Sequence, residues 1–150
     1  MQKKYKCITE KETEQLAELF ADIAKPGDVF ALNGVLGVGK SVFARAFIKK
    51  KTKAEEVPSP TFTLVQAYPT DLCDVYHFDL YRLKDPDEVF ELGFEEAVYG
   101  NISLIEWSEK AGKWLPKDIF NITICSDEEI RYFTIEVLSE EKIKRLERIQ

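Results

Sequence analysis

Gly34-Val35-Leu36-Gly37-Val38-Gly39-Lys40-Ser41 follows the pattern G-x-x-x-x-G-K-[ST], a stretch suited to holding a polyphosphate. Each residue type serves that chemistry. The glycines permit a tight turn that points successive N–H groups into one concavity. A helix beginning at the end of the loop adds the positive end of its dipole. Lys40 can reach β- and γ-phosphates, and the Ser41 hydroxyl can ligate Mg²⁺. Two acids compete for the remaining metal-side role. Asp79 lies inside the run Val75-Tyr76-His77-Phe78-Asp79-Leu80-Tyr81-Arg82-Leu83. A carboxylate there is costly unless it is paired, at a strand end, or beside metal or water; a pair with Arg82 is the plainer alternative. Glu106 closes Ile102-Ser103-Leu104-Ile105-Glu106-Trp107, and the more uniform apolarity of that strand favours Glu106 for the metal. Trp107 reads as a core residue or as a lid over the site.

The elements that must position these groups surround them in the sequence. Asp28-Val29-Phe30-Ala31-Leu32-Asn33, bounded by the turn Pro26-Gly27, predicts a buried strand before the loop. Ser41 to Lys50 predicts an amphipathic helix after it, with Phe43 and Phe47 inward and a basic tail, Lys49 to Lys53, that complements the dipole. Upstream, Thr9 and Glu12 form a capping box ahead of Leu16, Leu19, Phe20 and Ile23 at helical spacing. Cys7, Ile8 and Glu10 read as a strand-to-helix junction or as an apolar wall for a nucleotide base. Downstream of Pro58-Ser59-Pro60, a strand is expected from Phe62, hairpin-paired with a second strand over Val75–Leu83. Alternation puts His77 and Asp79 on one face of that second strand. The hydroxyls of Ser59, Thr61 and Thr63 read either as an ordinary loop-to-strand junction or as a switch that senses a γ-phosphate and its metal. Asp85-Pro86 starts a short helix that Gly93 ends. Further strands are expected over Asp118–Cys125 and Arg131–Leu138, and Ser139 caps a final helix. The expected architecture is α/β, a single P-loop NTPase-like domain over residues 1–150 with a mixed sheet flanked by helices.

Composition narrows the class. At 150 residues, with 45% hydrophobic and 12% aromatic residues, the chain can bury a substantial core. Its net charge of −6 provides no general attraction to nucleic acid or anionic membranes. No apolar run approaches a membrane span or a signal sequence, so a cytoplasmic protein is expected. Three scattered cysteines read as reduced thiols, and a lone histidine, His77, leaves no material for a Ser-His or multi-histidine site. The usual guanine-reading group Asn-Lys-x-Asp is absent, favouring ATP. Few arginines and little room for a second substrate disfavour a small-molecule kinase.

Four stretches occur in order: Leu32 to Ser41, Ser59 to Val65, His77 to Leu83 and Leu104 to Trp107. Together they resemble the TsaE (YjeE) family, the bacterial ATPases of tRNA threonylcarbamoyladenosine synthesis, from the first helix to the strand near Arg131. The resemblance implies Mg-ATP binding and weak ATPase activity in support of the TsaB–TsaD pair, with tRNA met only through that complex. It implies that Leu36, Gly37, Val38, Gly39, Lys40 and Ser41 hold the phosphates and that Ser41 and Glu106 hold Mg²⁺. It also makes Lys40, Asp79 and Glu106 the catalytic set, Trp107 the site aromatic, and Ile8, Glu10 and Arg131 the base-side contacts. Val35 stands where the family usually has Asp, so any role of that carboxylate is missing here. Ser41 replaces the usual Thr, and Val38 the usual Ala. An alternative reading keeps the nucleotide but makes the protein a gated binding module in which hydrolysis is incidental.

Overall fold

The computed structural model describes residues 1–35 and 37–149. Seven strands, β1 (Gln2–Cys7), β2 (Val29–Asn33), β3 (Val65–Pro69), β4 (Asp74–Asp79), β5 (Ile102–Glu106), β6 (Phe120–Asp127) and β7 (Ile130–Glu136), form one sheet in the order β1-β7-β6-β2-β5-β4-β3. The central strands run parallel, β6 with β2, β2 with β5 and β5 with β4. The outer pairings are antiparallel. Helices α1 (Glu10–Ile23), α2 (Lys40–Lys51), α3 (Phe94–Val98) and α4 (Glu140–Leu146), with 3-10 helices over Pro86–Leu92 and Ser108–Trp114, flank this mixed α/β sheet.

The two faces explain the runs. Phe30 and Leu32 of β2, with Ile102 and Leu104 of β5, pack into the core beneath α1 and α2, joined by Phe20, Phe43, Phe47, Phe120 and Phe133. Val29, Ala31 and Ile105 face a second core with Phe78, Leu80, Val89, Phe94 and Ala111. A parallel strand covered on both sides has no polar face, so β2 and β5 read as continuous apolar runs. Phe30 and Phe120 stack with centroids 4.7 Å apart, and Phe20 meets both edge-on. Such aromatic pairs add about 0.5–1.5 kcal/mol each beyond the area they bury.

Several expected boundaries move. The first hairpin strand begins at Val65 rather than Phe62: the Leu64 N–H bonds back to Pro60 O at 2.6 Å, Leu64 adopts φ 69°, and Phe62 stands 81% exposed. A residue in the left-handed region cannot continue an extended strand. Its partner ends at Asp79 rather than Leu83, because the Tyr81 N–H folds back onto Asp79 Oδ1 at 3.1 Å. Pairing of β6 with β7 continues to Asp127 opposite Ile130, with the reversal at Glu128, φ 59°. The backbone ladder therefore extends through Ser126 and Asp127, beyond the expected strand end at Cys125, and leaves Glu128 and Glu129 as the turn. The polar start of the chain is itself a strand, β1, whose lysines stud the sheet's edge, a common guard against edge-to-edge pairing. The three cysteines are free. Among the described residues no helix is long and apolar enough to cross a membrane.

Candidate functional site

The parallel strands deliver their carboxyl ends to one edge. Register places Asp79 beside Glu106, and Glu106 beside Leu32, the residue two before the glycine-rich loop. Open α/β sheets bind ligands at such an edge. There, a cavity of about 650 Å³ is lined by residues from the loop, α1, α2, the strand ends and β7.

The loop is shaped by glycine where glycine is required. Gly34 has φ 150°, and a Cβ there would stand 2.7 Å from Ile124 O and 2.8 Å from Val38 Cγ1. Gly39, φ 110°, precedes α2 as its N-cap and offers no side-chain cap. The first N–H groups of α2 are therefore without a capping side chain and suit an anion. Gly34→Ala is expected to cost more than about 1 kcal/mol in chemical denaturation. Gly37→Ala, at φ 77° with open space around the added methyl, should cost less. Equal losses would refute the steric account of position 34.

Lys40, the first residue of α2, is only 4% exposed. Its Nζ donates to Gly34 O at 2.7 Å and lies 3.8 Å from the centroid of the Trp107 ring. Burial pushes its pKa down, opposed by Glu106, Asp79 and Glu109. Asp79 is held by two donors, Thr61 Oγ1 at 3.2 Å to Oδ2 and the Tyr81 N–H to Oδ1. Asp79 is thus both hydrogen-bonded and at a strand end, two of the settings that make a carboxylate tolerable there, but its partner is not Arg82, which lies exposed over the Phe62 ring. Trp107 takes a left-handed conformation, φ 58° and ψ 46°, that swings its ring out of the strand to meet Tyr81 at 4.8 Å and Lys40. Ser108 Oγ donates to Asn33 Oδ1, and Asn33 Nδ2 to Asn121 Oδ1, tying the last residue of β2 to the segment after β5 and to the start of β6.

The opposite wall comes from the β1–α1 junction and from β7. Ile8, Glu10 and Arg131 line the cavity together with Gly37, Gly39, Lys40, Ser41, Asp79, Glu106 and Trp107. Arg131 donates to Glu128 O at 3.3 Å, and its guanidinium passes within van der Waals distance of where a Cβ on Gly39 would be. Val38 does not line the space: its side chain is buried in the core, leaving its backbone to serve the loop. Leu36 lies outside the described residues. Thr9, Thr13, Val42 and Glu129 also line the cavity; Thr9 was read only as a helix cap, and none of the four was a candidate site residue. Thr9 and Thr13 belong to the capped first turn of α1, and only the sheet's closure by β1 and β7 brings that turn to the loop.

Among the described residues no three His, Cys, Asp or Glu side chains form a cage for a metal. Mg²⁺ needs none, since it keeps several waters and takes one or two carboxylates alongside phosphate oxygens. Ser41, Asp79 and Glu106 bring hard oxygen donors to the same cavity as Lys40. That donor set fits magnesium beside a polyphosphate.

The family described as "Threonylcarbamoyl adenosine biosynthesis protein TsaE" matches residues 7–133. A Rickettsia typhi protein named "tRNA threonylcarbamoyladenosine biosynthesis protein TsaE" is 53% identical over 102 residues, 67% of this chain and 71% of the relative. A Bacillus subtilis protein of the same name is 37% identical over 124 residues, 82% and 77% of the two chains. The crystal structure of Bacillus subtilis YdiB superposes with a TM-score of 0.79 at 28% identity, covering 99% of this chain and 94% of that one.

Proposed function

The chain belongs to the TsaE family, and from that premise we propose that it is a Mg²⁺-dependent ATP-binding protein with slow ATPase activity, acting in tRNA threonylcarbamoyladenosine synthesis in support of a TsaB–TsaD complex. One observation carries the reading: an uncapped helix start, the Lys40 ammonium and two strand-end carboxylates converge on one cavity of about 650 Å³. In this reading the backbone of the loop and Lys40 hold the phosphates, while Ser41 and Glu106 would hold the metal. A Mg²⁺ held there would supply charge neutralisation for the bound phosphates. Asp79, with both oxygens oriented by donors, would in this reading accept a hydrogen bond from an attacking water. Trp107 covers the phosphate side and excludes bulk solvent. Ile8, Glu10 and Arg131 flank the nucleoside. The net charge of −6 supports contact with tRNA through partners rather than directly.

A second reading rests on a specific contact. Thr61 binds Asp79, so the segment around Ser59–Leu64 is anchored to a site carboxylate and would feel a ligand that recruits it. ATP binding alone would then gate partner assembly. Reconstituted modification with TsaB and TsaD separates the two. Omitting this chain, or ATP, should prevent repeated turnover; undiminished turnover without it would remove the proposal. Asp79→Asn, screened to bind ATP without hydrolysing it, should fail to restore turnover if hydrolysis matters. Full restoration would select gating.

A further inference from the structure

The chain's only histidine is placed beside the site without lining it. His77 sits in β4 two residues before Asp79 and opposite Leu104. Its Nε2 lies 2.7 Å from Glu106 Oε2, with His77 3% and Glu106 5% exposed. A carboxylate accepts, so Nε2 carries the proton. His77 Nδ1, buried, has no partner among the described residues. A ring held through one nitrogen only, at the cost of leaving the other unpaired, is ordered by its bond to Glu106. Glu106 lines the cavity, and its Oε1 makes no hydrogen bond within the described protein, so it is the oxygen free to meet a ligand there. Lys40 is the competing attraction, since Glu106 is the foremost of the carboxylates that favour its charge.

We propose that His77 is a positioning residue: its Nε2–H pins one oxygen of Glu106, holding the carboxylate off Lys40 and presenting the other oxygen to a divalent cation on the bound nucleotide. This rests on the Mg-nucleotide reading of the site. Orienting partners behind a metal ligand typically change metal affinity about 10–100-fold.

The test uses the full chain, wild type, His77→Leu and His77→Gln. The glutamine amide keeps a donor near the place of Nε2. Binding of a non-hydrolysable ATP analogue is measured by calorimetry with and without MgCl₂. His77→Leu should lose about tenfold or more of the Mg²⁺-dependent gain while metal-free binding stays within about twofold, and His77→Gln should recover most of it. With a single histidine, ¹⁵N spectra report the pair directly, without nucleotide: an Nε2-protonated ring in the wild type, altered by Glu106→Gln. His77→Leu with the wild-type Mg²⁺ dependence overturns the inference. So does an equal loss with and without Mg²⁺, which marks a purely structural role, or a folded His77→Gln as impaired as His77→Leu. A wild type that shows the paired imidazole yet binds no Mg-nucleotide overturns the functional reading together with this inference. A wild type that binds it normally, alongside an unimpaired His77→Leu, overturns this inference alone.

Discussion

Lys40→Ala is expected to abolish measurable ATP binding and, with it, hydrolysis. The ammonium is fixed by its bond to Gly34 O and by the Trp107 face, and Lys40 is itself buried. Burial lowers its pKa, and the neighbouring Glu106, Asp79 and Glu109 oppose that shift only in part. Removing the ammonium leaves Asp79 and Glu106 facing an anionic ligand without a counter-cation. Truncating one side of a desolvated charge pair costs about 2–5 kcal/mol or more, a loss of about 30-fold or more in affinity. Calorimetry with ATP and Mg²⁺ checks this, and circular dichroism checks that the variant is folded. Normal steady-state hydrolysis by Lys40→Ala would leave the glycine-rich loop without its assigned function.

A comparably large effect on stability is expected from Arg145→Met. Arg145 on α4 bonds Asp28 through both terminal nitrogens, at 2.5 and 2.8 Å, and donates to Ile23 O at 2.9 Å. Arg145 is 2% exposed and Asp28 3%. Burial disfavours the guanidinium's charge, but the bonds to Asp28 and Glu141 more than offset it, so its pKa stands above the ordinary value. The pair ties the last helix to the end of α1 and the start of β2, 117 residues away. Deleting one partner of a buried pair strands the other charge and costs about 3–5 kcal/mol. For a chain of this size that is a fall in Tm of roughly 10 °C. Asp28→Asn in the Arg145→Met background should regain part of the loss, since it removes the stranded charge. A loss below about 1 kcal/mol in urea denaturation would show that Asp28 is rehydrated when Arg145 is gone.

These two residues mark the ends of what can be read without coordinates. Lys40 is recognisable because its requirement is local: glycines, lysine and hydroxyl within eight positions, preceded by an apolar run and followed by a helical one. Arg145 looks like one more charge on a terminal helix, and nothing nearby distinguishes it from Arg148. The same division holds within the site. Asp79 stood out as an acid in an apolar strand, yet its partners, Thr61 and the Tyr81 N–H, were not those expected. The start of β3 was misplaced because Phe62 suits a strand by type, whereas the backbone there is already turning. Thr9 was read only as a helix cap, and Thr13 had no assigned role, although both face the loop across the cavity.

Sequence alone determined the glycine-rich loop, the helix caps at Thr9, Asp85 and Ser139, the apolar central strands and Glu106 as the acid that ends one of them. All of these are short-range demands of backbone geometry and solvation, satisfied within a few residues. Tertiary structure alone decided that β1 pairs with β7, that His77 meets Glu106 across 29 residues, and that Asp28 is neutralised from the far end of the chain. Those outcomes depend on strand order and register. A pattern of residue types states which face is buried, but not which distant segment will cover it.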